Sequence, residues 1–474
     1  MIRKHLFWDY LGRFSGVITQ ILTSIVLTRL LSPKDFGIVG IALAVNGIAR
    51  LFGNFGFSSY IIQQEDEDER TTNSVFWFSI ALAVVLFTII LLSSTAIADF
   101  YNMAQLSDIL VITGLLLVFG MTGTIPNALL IKRLEFKAIN IRNIGVSLFS
   151  GIVGVALAYN GFGVWSLIIQ QITNSILSAI LAFIIAKWRP KLIFSKYHFL
   201  KSYHFGKYMF LSSLVDGIYS KLDVFLVGKL FSLSSLGLYT RAQTLDGTVS
   251  KLSAHSLLNV LFPTIAKIKN DPEKLKTIYY TYFEHITFVF CLMSSLLYLG
   301  AIPLFFYLFG EIWLASAVFF KLLVLSSFAS PLASLMLAII EAQGNSKNFF
   351  YADVFKKLIF LPGYIVVWFF SIETFLLTLF LLNILGSAVN LYYLNKEIIV
   401  GYLGSTKILL KYFIPSIGLA VLIDLIYPST TDIVPAIIKI AGLLTVYIGI
   451  CYYQKSKTLT LGINFIRAKY DKRY

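Results

Sequence analysis

The stretch VDGIYSKLDVFLVGKLFSLSSLGLYTRAQTLDGTVSKLSAHSLLNVLFP, residues 215–263, decides how the rest of the chain is read. It has room for two helices of about 20 residues each, the length that spans a bilayer. Its second half, residues 238–262, carries Arg241, Asp246, Lys251 and His255. On the insertion scale a central charge costs about 2.5–3.5 kcal/mol, and each Leu, Val or Phe offsets only about 0.3–0.6. Arg241, Asp246 and Lys251 together cost roughly 8–10 kcal/mol, whereas the Leu, Val and Phe residues between 238 and 262 offset about 3–5. A helix of this composition faces a hydrated cavity or a protein partner rather than lipid. Charge at membrane depth marks it as a functional-site candidate.

Outward from this stretch, the composition is that of a membrane protein. Hydrophobic residues make up 57% of the 474-residue chain and charged residues 13%, with a mean hydropathy of +0.80. Those values exclude a soluble globular class. About fourteen runs of roughly 20 apolar residues, joined by mostly short loops, account for nearly the whole chain and leave no large soluble domain. The runs are continuous, as over residues 76–92 and 109–119, unlike the alternating ten-residue segments of an outer-membrane barrel. The expected fold class is therefore all-α, a polytopic membrane protein.

The net charge of +15 reads as topology rather than nucleic-acid binding. With a cytoplasmic N-terminus, the inside connections carry Lys132, Arg133 and Lys137, then Lys187, Arg189, Lys191, Lys196 and Lys201. Further along, they carry Lys267, Lys269, Lys274 and Lys276, then Lys396, Lys407 and Lys411. The opposite connections, such as residues 99–105, 160–163 and 428–432, hold no Lys or Arg, with Lys34 and Lys229 the main exceptions. This is the positive-inside pattern, and an even number of spans places both termini in the cytoplasm. The acidic run QQEDEDER, residues 63–70, is expected to be a solvated turn. Cys291 and Cys451 fall in apolar runs and are expected to pack rather than to form a disulfide or bind metal. The start, MIRKHLFWDYLGRFSGVITQ, has no small-residue cleavage site and is expected to be an uncleaved first span.

Polar residues recur inside the other spans. The first contains Asp9 and Arg13, and the second contains Asn46, Arg50 and Asn54, spaced four apart and so sharing one helical stripe. Arg142, near one end of the fifth span, is expected to snorkel. Glu284, His285, Lys321, Glu341, Lys356 and Lys357 lie near span ends and are expected to anchor at the interface. The linker KWRPKLIFSKYHFLKSYHFGK, residues 187–207, combines a proline break with positive charge and aromatics suited to an anionic leaflet. It marks a lobe boundary. An internal echo supports two halves: RLLSPKDFGI at 29–38 matches KLFSLSSLGL at 229–238 as basic, Leu, apolar, Ser, three variable, apolar, Gly, apolar. The expected division is an N-terminal lobe (1–190), a basic linker (191–206), a C-terminal lobe (207–400) and an appended pair of spans with a basic tail (401–474).

Catalytic and cofactor signatures are missing from the sequence. It contains no G-x-x-x-x-G-K-[ST] loop, no H-E-x-x-H and no cysteine cluster with metal spacing, so no cofactor and no metal is expected. What the polar helices offer is a cationic face. At 100° per residue Arg241, Lys251 and His255 fall within about 80° of one another, and Asp246 points away. Together with Arg13 and Arg50 such a face suits an anion, and a guanidinium matches phosphate oxygens. The alternative is that these charges pair internally with Asp216, Asp223 or Asp246. Asp216 and Asp223, seven apart on the seventh span with Lys221 on the far side, are either a coupling site for a proton or cation or plain ion-pair partners.

Residues 215–280, with LDVFLVGKLFSLSSLGLYTRAQTL followed by NVLFPTIAKIKNDPEKL, resemble the Wzx-type polysaccharide flippases of the multidrug/oligosaccharidyl-lipid/polysaccharide exporter superfamily. The front, LTRLLSPKDFGIVGIALAVNGIARLFGNFGFSSYIIQ and then TNSVFWFSI, looks like the lipopolysaccharide and colanic-acid exporter branch. Similarity covers most of the chain and is weakest after about Ser405; the shared motifs are structural rather than catalytic. The resemblance implies two six-helix lobes around a central cavity, plus two C-terminal helices. It also implies flipping of undecaprenyl-pyrophosphate-linked oligosaccharide across the bacterial inner membrane by alternating access. The implied partners are that lipid-linked substrate, membrane lipid, and polysaccharide polymerase and chain-length machinery, with no nucleic acid. A competing reading is a small-molecule efflux antiporter of the drug-export branch, whose cationic substrates favour an acidic cavity. A third, a polysaccharide polymerase, calls for a large outer loop rich in Arg and His, which this sequence lacks.

Overall fold

Continuous apolar runs in lipid have one way to satisfy their backbone without a partner strand, which is to coil into helices. The computed structural model describes residues 2–53, 55–64, 66–248, 265, 268, 271–343, 345–461 and 464, and among these there is helix but no strand. The chain divides into two compact units, Met1–Gly237 and Leu238–Tyr474. The first contains α1 (Ile2–Leu30), α2 (Pro33–Gly53), α3 (Phe57–Gln63), α4 (Glu69–Phe100), α5 (Ala104–Thr122), α6 (Thr124–Lys132), α7 (Phe136–Tyr159), α8 (Val164–Ala186), α9 (Lys196–Tyr219) and α10 (Leu222–Leu230). Helix α11 is described over 233–248. The second unit continues with α12 (Pro272–Phe309), α13 (Leu314–Ser327), α14 (Ala329–Ala342), α15 (Ser346–Phe369), α16 (Ile372–Glu397), α17 (Tyr402–Phe413), α18 (Leu419–Ile426) and α19 (Ile433–Tyr453).

Among the described residues, ten helices or broken helices are long and apolar enough to cross a membrane. The other stretches read as spans are helical too, but α1, α9 and α15 carry more charge, and α11 is described only in part. Apolar side chains face outward along the spans, as at Leu92 on α4, which is 78% exposed. A patch of this kind invites aggregation in water and suits a lipid surround.

The two units repeat one packing scheme. In the first, α4 packs on α5, α7 on α8, and both α5 and α6 on α8; in the second, α12 packs on α13, α15 on α16, and both α13 and α14 on α16. The fourth span of each set is broken at the same place by the same device. Gly123 separates α5 from α6 with Pro126 three residues on, and Phe328 separates α13 from α14 with Pro331 three residues on. Proline removes one backbone donor and its ring crowds the preceding turn, so the helix axis changes there. Pro415 has a comparable effect between α17 and α18, where residues Ile414–Gly418 form a π-helical turn.

The echo at 29–38 and 229–238 has a physical basis. A Cβ on Gly37 would lie 2.1 Å from the Leu233 carbonyl oxygen, and one on Gly237 would lie 1.7 Å from that of Pro33. The two copies touch backbone to backbone, and only glycine fits at either position.

The acidic run 63–70 is largely exposed, as expected of a solvated turn, and it is also paired. Arg133 donates a bidentate pair to Glu67 at 2.7 and 2.5 Å, Lys191 reaches Glu69 at 2.7 Å, and Lys132 donates to the Asp66 carbonyl at 2.6 Å. Asp68 meanwhile caps α4 by accepting from the Thr71 N–H at 3.0 Å. The run therefore fastens the α6–α7 turn and the start of the 191–206 segment, which is helical from Lys196 onward as the start of α9. The hydrogen bond from Arg133, with burial opposing it, holds the Glu67 carboxyl below the usual carboxylate range. A lowered pKa stabilises the folded state above the ordinary value of about 4.3, and that stabilisation is lost as pH falls through the lowered value. Both side chains are about a third exposed, so the contribution is screened to about 0–1 kcal/mol. Glu67→Gln should accordingly melt slightly below the parent at pH 7, and the gap should close as acidification carries the pH below the usual carboxylate range.

Several span-end charges expected to anchor at the interface are paired inside the second unit instead. Lys321 meets Asp424 at 2.7 Å, their side chains 11% and 14% exposed, and Lys357 bonds Asp353 one turn before it. Glu284 accepts from the Tyr412 hydroxyl at 2.5 Å and from Lys411 at 3.1 Å, and the Tyr447 hydroxyl donates to the Phe288 carbonyl at 3.0 Å. These bonds hold α17 and α19 against α12. Cys291 and Cys451 are free and fully buried, packing as expected. Removing one member of a buried pair leaves the other uncompensated, at a cost of about 3–5 kcal/mol. Lys321→Met should therefore lower the melting temperature sharply, and Lys321→Met with Asp424→Leu should recover most of the loss; a double loss equal to the sum of the two single losses would show that the pair is uncoupled.

Candidate functional site

The candidate residues separate when placed on the fold. Arg241 lies on α11 in the second unit, 7% exposed, its guanidinium 4.1 Å from the centre of the Phe309 ring on α12. Its charge faces an aromatic quadrupole, which stabilises a desolvated cation. Five residues on, Asp246 accepts a hydrogen bond from the Ser327 hydroxyl at the end of α13. By the offset of the echo Asp246 corresponds to Asn46, whose Nδ2 donates to the Thr113 hydroxyl on α5 at 2.8 Å. Each second span thus meets a hydroxyl of the fourth span in its own unit. Lys251 and His255 lie outside the described residues, as does the side chain of Arg13, so the basic face expected on residues 238–262 is seen only at Arg241.

Asp216 and Asp223 do not share one helical face. The seventh span breaks between α9 and α10: the Ser220 hydroxyl bonds the Gly217 carbonyl at 2.9 Å, and Lys221 sits at the junction. Serine after glycine competes with helix continuation in just this way. Asp216 ends up exposed on α9. Asp223, 8% exposed, opens α10, where its Oδ1 accepts from the Val224 N–H at 2.8 Å.

Arg50 lines a cavity. Within the first unit α2, α5, α6 and α8 line a half-open cavity of about 370 Å³, bordered on α2 by Asn46, Gly47 and Arg50 and on α8 by Gln171, Asn174, Ser175 and Ser178. The α8 residues follow the 3, 4, 7 spacing of a single helical face. No acidic side chain is among the described residues that line it. Gly123, at the break between α5 and α6, forms part of the wall, and Asn127 one turn later forms another. Behind Asn127 stands Arg142, 8% exposed on α7, whose guanidinium donates to the Asn127 Oδ1 at 2.7 Å and to the Asn143 Oδ1 at 2.9 Å. Arg142 is buried among neutral amides rather than snorkelling. Its neighbours Asn140 and Asn143, with the amide stripe of α8, were the signal in the sequence that polar company awaited it.

With fold and cavity described, the relatives become informative. A family described as "Polysaccharide biosynthesis protein" matches residues 26–318. The chain belongs to that family. Among curated proteins it is 23% identical over 350 residues to the succinoglycan biosynthesis transport protein ExoT of Rhizobium meliloti (strain 1021), covering 74% of this chain and 71% of that one. It is 24% identical over 371 residues to the lipopolysaccharide biosynthesis protein WzxC of Escherichia coli (strain K12), covering 75% of this chain and 74% of that one. Among solved structures, the lipid II flippase MurJ in an inward closed conformation superposes with a TM-score of 0.74 at 16% identity, covering 94% of this chain and 99% of the other. Similarity at that identity establishes the fold alone, that of a multi-pass helical membrane protein. The resemblance read from residues 215–280 therefore holds for family and for fold.

Proposed function

We propose that this family member is a flippase that carries undecaprenyl-pyrophosphate-linked oligosaccharide units across the bacterial inner membrane by alternating access, for assembly of a surface polysaccharide such as O antigen, capsule or exopolysaccharide. The observation that supports it most is the character of the cavity: Arg50 in the wall, Arg142 one residue behind, and no carboxylate among the described lining residues. An anionic head group gains charge-assisted hydrogen bonds in such a place, and a cationic drug gains nothing. That contrast favours a flippase over a drug antiporter. Relatives named for succinoglycan transport and lipopolysaccharide biosynthesis support the same reading.

In this reading Arg13, Arg50, Arg241 and Lys251 hold the pyrophosphate, and the lipid tail stays in the bilayer while the head crosses. The chain works as lobes 1–190 and 207–400 joined by 191–206, with 401–474 appended and both termini cytoplasmic. It performs no bond chemistry, and polymerase and chain-length machinery act on its product. Depleting the protein from its host should stop surface polysaccharide and accumulate lipid-linked units on the cytoplasmic leaflet. Unchanged polysaccharide with raised drug sensitivity would refute the reading. Asp223, as the buried carboxylate, is the leading candidate for ion coupling, ahead of Asp216, Lys221, Asp246 and His255. Asp223→Asn is expected to weaken the dependence of flipping on an imposed ion gradient; an unaltered dependence moves coupling elsewhere.

A further inference from the structure

Polar side chains inside a membrane bundle need partners, because lipid offers none. The cavity of about 370 Å³ among α2, α5, α6 and α8 is far larger than such satisfaction requires. Its volume falls in the range of small-molecule sites, roughly 300–1,000 Å³. Its chemistry is specific. Asn46 is 4% exposed, and its Nδ2 is spent on the Ala42 carbonyl at 2.9 Å and the Thr113 hydroxyl at 2.8 Å. Its Oδ1, also buried, has no hydrogen-bond partner among the described residues. A buried acceptor without a donor is a costly arrangement that a ligand hydroxyl would relieve.

Opposite Asn46, the face of α8 presents Gln171, Asn174 and Ser178, groups that both donate and accept. Alternating donors and acceptors without fixed charge match the hydroxyls of a sugar ring, which are themselves both. Phe119 in the same wall offers an apolar surface to the ring's C–H face. Among the described residues that line it, the one charge is Arg50, four residues and one helical turn from Asn46.

We infer that this cavity is the subsite for the sugar joined directly to the phosphate of the translocated head group, with the ring against Asn46, Gln171, Asn174 and Ser178 and its phosphate at Arg50. The inference rests on the flippase reading and adds a location for the first sugar. It follows that recognition of the sugar lies within the first unit, and that residues on α8 set which sugar is accepted.

The test uses the purified full chain in lipid nanodiscs with short-chain polyprenyl diphosphate as one probe. The others are the same diphosphate carrying glucose, galactose or N-acetylglucosamine. At least one sugar-bearing probe is expected to bind roughly tenfold more tightly than the bare diphosphate, the gain from one or two net hydrogen bonds. Gln171→Leu with Ser178→Leu should erase that gain while leaving the affinity for bare diphosphate, which also reports that the variant is folded. Equal binding of all probes by the parent protein would overturn the subsite and leave the flippase reading standing. Binding of none of them would overturn both. A sugar preference that survives in the double variant would place the ring elsewhere.

Discussion

Gly237→Ala is expected to destabilise the protein markedly. The added methyl would sit 1.7 Å from the Pro33 carbonyl oxygen, 2.7 Å from its carbon and 3.0 Å from the Gly37 nitrogen. All three are backbone atoms at the start of α2, so no side-chain rotation can make room. Forcing atoms into packed structure costs typically about 1–3 kcal/mol where neighbours yield, and the upper end or beyond is expected where they are main chain. Gly37→Ala should behave alike, because its methyl would meet the Leu233 carbonyl oxygen at 2.1 Å. Gly442→Ala, with open space around it, serves as the neutral control. Thermal melting of the three variants in detergent checks this. If Gly237→Ala melts with the control, the backbone contact is not made in the protein.

Arg241→Ala is expected to block export, with surface polysaccharide lost and lipid-linked units held on the cytoplasmic leaflet. A hydrogen bond from a charged group to its ligand is worth about 1.5–3 kcal/mol, so flipping should fall by roughly ten- to a hundredfold. Arg241→Lys should restore part of the rate, since lysine keeps the charge but loses the bidentate fork and the planar stacking on Phe309. Normal export by a stably inserted Arg241→Ala, Lys251→Ala double variant would assign both charges a structural role and move phosphate recognition elsewhere.

Much of this architecture is legible in the residues because lipid enforces a simple rule. Runs such as 76–92 have to be helical wherever they sit, and the cost of Arg241 in lipid predicts its interior position without any contact map. The echo of Gly37 and Gly237 was readable as a repeat, though its cause, two backbones in contact, was not. What stayed hidden depends on how helices rotate and slide against one another. Arg142 near a span end is compatible with snorkelling or burial, and the choice falls to α6 and α8, whose orientation no local pattern specifies. Lys321 and Asp424 find each other from far apart along the chain. The break at Ser220 defeats the seven-residue spacing of Asp216 and Asp223, because helical periodicity holds only while the helix continues.

The attachment of the last helices to α12 has a consequence for descent. Glu284 is a carboxylate on the flank of α12, 12% exposed only because Lys411 and Tyr412 cover it. A chain that stopped after α16 would turn that charge towards lipid, so the appended pair and the acidic residue have to be gained or lost together. A homologue ending at its twelfth span is thus expected to carry an apolar residue where this one has Glu284. One that keeps a carboxylate there should have found a new cation for it on a neighbouring subunit.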